Sequence, residues 1–120
     1  MYFNFPLFTR LAERAYKNID NSYYSLDDVL SVFLYYFQKY EKVLKRVHPN
    51  IRLEQIQRII EAMPYIENDR PSSGVGDIEP DDYKTLIDKH FTTKYRNCDY
   101  NINHFFSGDI RLLRFYEELY

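Results

Sequence analysis

Cys98, Asp99 and His104 lie close together near the C-terminus and carry the side-chain types of a nucleophilic site. A thiolate becomes an effective nucleophile when an imidazole base lies within hydrogen-bonding reach, and a carboxylate can orient that base. Nearness in sequence does not provide this geometry, and no oxyanion-donor motif or family signature surrounds Cys98. A packed thiol and a hydrogen-bonded histidine account for the same residues, so the chain is not expected to be an enzyme. His48, His90 and His104 offer imidazoles that would have to converge with Cys98 to hold zinc. Paired ligands at short spacing are missing, and no metal is expected. Gly74-Val75-Gly76 lacks the third glycine and the preceding strand of a dinucleotide fingerprint, and no phosphate-binding lysine follows it. No cofactor is expected.

Binding chemistry is better represented. Lys42, Lys45, Arg46, Arg52 and Arg58 cluster around the middle of the chain, with Gln55 and Gln57 among them. A short amphipathic segment after a longer basic-ended one permits a helix-turn-helix reading, in which these side chains contact phosphates and base edges. Glu41, Glu54 and Glu61 are interspersed with the same cations, and the linking turn contains Pro49. A carboxylate repels the phosphate backbone it would approach, so nucleic acid is the alternative partner and a protein the preferred one. For a protein partner, the candidate contacts are Tyr65, Arg70, Val75 and Asp77 in and beside a loop at residues 67–79, together with Arg111 and Arg114. The two arginines lie one helical turn apart and can instead pair with Glu117 and Glu118.

These residues must be positioned by helices. Phe5, Phe8, Leu11, Ala12, Ala15, Tyr16 and Ile19 recur at spacings of three and four, which predicts a helix over 5–19. Ser25 can cap a second helix, with Asp28 three residues later in the capping-box position. Leu26, Val29, Leu30, Phe33, Tyr36, Phe37, Tyr40, Val43, Leu44 and Val47 then form one stripe, and Pro49 is expected to end the helix at His48. A third helix is predicted over 52–63, with Leu53, Ile56, Ile59, Ile60 and Met63 inward and Pro64 closing it. Pro80 suits the first position of a fourth helix carrying Tyr83, Leu86, Ile87, His90 and Phe91. Asp99, Asn101 and Asn103 are expected to cap and turn the backbone while Tyr100, Ile102, Phe105 and Phe106 fill the core. Ser107-Gly108-Asp109 opens a last helix with Ile110, Leu112, Leu113, Tyr116 and Leu119. The expected fold is mainly α, a compact bundle of about five helices with little or no sheet.

Composition sets the class. The 120 residues are 45% apolar and 28% charged, suited to one domain over 1–120 with its own core. The longest apolar run, residues 32–37, falls far short of the roughly 20 residues that span a bilayer, so no membrane association is expected. One cysteine permits no intrachain disulfide, and Arg10, Glu13, Arg14 and Lys17 interrupt the apolar start as no signal peptide would. Both favour a reducing cytoplasm. The net charge of −2 provides no global attraction to nucleic acid. Thirteen Tyr and nine Phe, with no Trp, favour rings packed inside with hydroxyls reaching polar partners.

One stretch carries a resemblance. Cys98-Asp99-Tyr100-Asn101-Ile102-Asn103-His104-Phe105, then Ser107-Gly108-Asp109-Ile110 and Arg114-Phe115-Tyr116-Glu117, resembles the C-terminal end of small uncharacterised proteins carried by phages and mobile elements of low-GC Gram-positive bacteria. It covers about the last quarter of the chain. The resemblance implies a bacterial cytoplasmic setting and a mobile-element context. It also implies, for a non-catalytic binder, a role in regulating replication or blocking host defence of the CRISPR type by engaging a partner protein.

Overall fold

The computed structural model describes residues 5–19, 23–64, 78–92 and 99–106. Among these residues lie five helices, of which the first four follow the sequence periodicity: α1 (Phe5–Lys17), α2 (Leu26–Leu44), α3 (Leu53–Ala62), α4 (Asp82–Thr92) and the short α5 (Ile102–Phe105). Among the described residues there is no strand. The mainly α expectation therefore holds. The helix expected over 109–119 lies outside the described residues.

α1 turns Phe8, Ala12 and Ala15 inward, on the predicted stripe. It packs chiefly against α3 and less extensively against α2, while α2 packs against α4. Ala12 and Ala15 have no exposed surface, so only methyl groups separate this stretch of backbone from its neighbours. α2 starts where predicted: the Ser25 hydroxyl accepts the Asp28 N–H at 3.1 Å, satisfying a donor that the first turn leaves without a helical partner. Val29, Val32, Phe33, Tyr36, Phe37 and Tyr40 form its buried stripe. Phe8 meets Phe33 and Phe37 with ring centroids 4.9 and 5.1 Å apart, joining α1 to α2 through edge-on aromatic contacts.

The end of α2 departs from expectation. The helix stops at Leu44, because Lys45 adopts the left-handed conformation (φ 59°, ψ 31°) and its N–H bonds to Glu41 O. The turn folds His48 back onto the helix it follows. In a continuous helix, residues 37 and 48 would stand about 16 Å apart along the axis. Their ring centroids are instead 5.0 Å apart. Val47 therefore leaves the helical stripe, and Val43, expected inward, is exposed.

α3 buries Ile56, Ile59, Ile60 and Ala62, and the Gln55 side-chain carbonyl accepts the Arg52 N–H at 2.9 Å just ahead of it. Pro64 follows the helix, and its carbonyl accepts the Ile78 N–H at 3.3 Å. α4 begins at Asp82, two residues after Pro80. Before it the chain makes a tighter turn, with Asp82, Tyr83 and Lys84 N–H groups bonded to the carbonyls of Glu79, Pro80 and Asp81. Tyr83, Leu86, Ile87, His90 and Phe91 are buried, as the spacing predicts.

The Asp/Asn-rich stretch before α5 behaves largely as its chemistry suggests. Asp99 Oδ1 accepts the Asn101 N–H and Asn101 Oδ1 accepts the Asn103 N–H, each at 2.9 Å. Asn103 is thus capped rather than capping. Ile102, Phe105 and Phe106 are buried, and Tyr100 is half-buried.

With its ring wedged between Phe8, Phe33 and His48, Phe37 is expected to dominate stability at this end of the core. Phe37→Ala should cost about 3–5 kcal/mol in urea unfolding. A loss below about 1 kcal/mol would show that the α2 stripe has been read on the wrong face.

Candidate functional site

The turn after α2 and the turn before α5 meet, and between them lies an open depression of about 170 Å³ lined by Tyr40, Arg46, Val47, Pro49, Asp99 and Asn101. Tyr40 supplies the floor, with its ring buried in the core. The Arg46 guanidinium sits 5.8 Å from the centre of that ring, and its Nε donates to the Tyr40 hydroxyl at 3.1 Å. This double contact, cation over ring and N–H to oxygen, fixes the stem of an otherwise exposed arginine. Of the residues that line the depression from the turn before α5, Asp99 is exposed and Asn101 is half-buried.

The depression rests on His48. The imidazole is only 2% exposed and packs against Tyr36, Phe37 and Tyr40 at 6.2, 5.0 and 4.7 Å. Its Nδ1 lies 2.7 Å from Pro49 O, and its Nε2 accepts the Ile102 N–H at 2.9 Å. Burial holds its pKa below the ordinary histidine value, against a smaller opposing pull from the Pro49 carbonyl and from Asp99. On the α2–α4 side, the Tyr35 hydroxyl donates to Asp88 Oδ1 at 2.6 Å, and Lys39 Nζ reaches the same oxygen at 3.1 Å. Losing its proton beside that carboxylate is costly, and the Tyr35 pKa is pushed up to about 12 by the bond, by burial and by the Asp88 charge.

Of the five basic candidates, Arg46 alone lines the depression, although Lys42, Lys45, Arg52 and Arg58 are all exposed. Arg58 has Glu54 one turn before it and Glu61 one turn after it, all three exposed on α3. α3 lies chiefly against α1, whereas a helix-turn-helix pair packs its two consecutive helices on each other. Tyr65, Arg70, Val75, Asp77, Arg111 and Arg114, the candidate protein contacts, lie outside the described residues. So do Cys98 and the Gly74-Val75-Gly76 segment. Asp99 and His104 are described and exposed, and Asp99 belongs to the rim of the depression. Among the described residues, no group of three or more His, Cys, Asp or Glu side chains is arranged to hold a metal ion, and no helix is long and apolar enough to cross a membrane.

Asp99 and Asn101 were not foreseen as sharing a depression with Arg46. They lie more than 50 positions from it in sequence, and local periodicity carries no record of the meeting. Compared with known proteins, the chain matches no family model, no curated protein and no solved structure.

Lys45 is the hinge on which this geometry turns. A side chain in the left-handed region costs about 1–2 kcal/mol, which glycine avoids at some entropic expense. Lys45→Gly is expected to raise unfolding stability by about 0.5–1 kcal/mol. Destabilisation in the same denaturation experiment would contradict the turn.

Proposed function

We propose that the chain is a non-catalytic interaction module that binds a partner protein, using the depression at the end of α2 to receive one polar side chain. The observation that carries this reading is that Arg46, held over the Tyr40 ring, lines one depression together with Asp99. At about 170 Å³ the hollow is smaller than the roughly 300–1,000 Å³ typical of small-molecule sites. It offers a cation, a carboxylate and an amide around an aromatic floor, so a partner group with both donors and acceptors is matched on every side. Tyrosine and arginine are among the residue types that most often dominate binding energy at protein interfaces. The C-terminal resemblance supports a bacterial cytoplasmic setting on a phage or mobile element, where such binding would regulate replication or blunt a host defence.

The alternative is a DNA-binding accessory protein, supported by the exposed cations Lys42, Lys45, Arg46 and Arg52 near the turn between α2 and α3. Three observations weigh against it: Asp99 lines the same depression as Arg46, Glu54 and Glu61 flank Arg58, and α3 packs chiefly on α1.

Capture from a nuclease-treated bacterial lysate, quantified by mass spectrometry, separates the two. Arg46→Ala and Asp99→Asn are each expected to weaken capture of a specific protein by about tenfold or more. Duplex DNA, measured by fluorescence anisotropy at two salt concentrations, is expected to bind no tighter than the non-specific range of roughly 10⁻⁴ to 10⁻⁶ M. Undiminished capture by both variants would remove the depression from the interface. Submicromolar, salt-sensitive DNA binding lost in Arg52→Ala and Arg58→Ala would put the nucleic-acid reading first.

A further inference from the structure

The hydrogen bonds of His48 are satisfied in one protonation state alone. The Pro49 carbonyl, 2.7 Å from Nδ1, requires a donor there; the Ile102 N–H, 2.9 Å from Nε2, requires an acceptor there. The neutral ring with its hydrogen on Nδ1 meets both demands. A second proton would convert Nε2 from acceptor to donor, leaving two N–H groups facing each other at hydrogen-bond distance. It would also place a charge on a ring that is 2% exposed and enclosed by aromatic side chains.

The groups around the ring offer limited relief. From α2 it meets Tyr36, Phe37 and Tyr40, and Arg46 lies over Tyr40, a cation that disfavours a second one nearby. From the turn before α5 comes Asp99, a carboxylate that favours the charged ring but whose Oδ1 accepts the Asn101 N–H. From α4, His90 sits beyond Tyr36, with ring centroids 6.4 Å apart. On α5, His104 is exposed. The segment that His48 holds, residues 99–106, is also tied to α2 by the Tyr36 hydroxyl on Tyr100 O and by the packing of its apolar side chains.

We propose that His48 is a proton-sensitive latch, whose protonation releases residues 99–106 from the end of α2 and so takes apart the Asp99–Asn101 wall of the depression. The latch stands on the hydrogen-bond geometry and does not depend on what the depression binds. Its direction follows from burial. The folded state favours the neutral ring, so the stabilisation is complete above the ordinary histidine value of 6.5 and is lost as pH falls through the lower value of the folded protein.

The test is NMR on the ¹⁵N-labelled full chain between pH 7.5 and 5, following the imidazole nitrogens and the exchange of backbone amides corrected for intrinsic pH dependence. At pH 7.5 the His48 signals should be those of the Nδ1–H form, with the Ile102 amide protected. As His48 titrates, protection across 102–106 should fall by roughly tenfold or more while amides of α1 and α3 keep theirs. In His48→Gln a side-chain carbonyl replaces the titrating acceptor, and the pH dependence of that protection should vanish. The proposal is overturned by an Nε2–H ring at neutral pH, by a charged His48 with Ile102 still protected, or by loss of protection that follows His90 or His104 instead. Because the first two readings come from the unmodified chain, they decide the matter even if the glutamine variant fails to fold.

Discussion

The connectors between short helices carry carbonyls that must find donors wherever they are shielded from water, and no strand among the described residues provides them. Here tyrosine hydroxyls meet that constraint. Tyr16 donates to Tyr24 O, Tyr24 to Ile78 O, Tyr83 to Met63 O and Tyr36 to Tyr100 O. In each case the ring belongs to the apolar core or packs against it, while the oxygen reaches a residue outside any α-helix. At these four positions tyrosine thus serves the architecture. Phenylalanine would fill the same space and leave the connectors loose.

Tyr36 shows the arrangement at its densest. Its ring lies 5.0 Å from Phe91 and 5.5 Å from Phe105, with His48 and His90 at 6.2 and 6.4 Å. Its hydroxyl donates to Tyr100 O at 2.7 Å, which secures the residue whose own backbone is in the left-handed region (φ 60°). Tyr100 in turn stacks on Phe91 at 5.4 Å. α2, α4 and the turn before α5 are therefore joined through one side chain, and the rim carrying Asp99 and Asn101 inherits its position from that join.

Much of this was legible in the chain. Spacings of three and four placed the inward faces of α1 to α4 because a helix buried on one side must repeat that way. Ser25 announced a helix start, and Asn101 a capped turn, because a short polar side chain satisfies an otherwise unbonded N–H. The left-handed break at Lys45 was not legible, since lysine has no special preference for that conformation and Pro49 offered a plausible later stop. The depression was hidden for a related reason. It exists because that break turns Arg46 and Pro49 toward residues 99–101, a long-range consequence of tertiary packing. Asp99, Asn101 and Arg46 were each noticed for a local reason, as turn formers and as a cation, and their meeting was not.

The central claim is that tyrosine hydroxyls, beyond the rings that carry them, hold the connectors to the helical core. Site-resolved hydrogen exchange on Tyr36→Phe tests it most directly, because the substitution keeps the ring contacts and removes one donor. The account predicts a loss of about 1–2 kcal/mol in the protection of amides in residues 102–106, with α1 and α3 nearly unchanged. Protection in that segment equal to the parent protein, or a loss spread evenly over all helices, would contradict it.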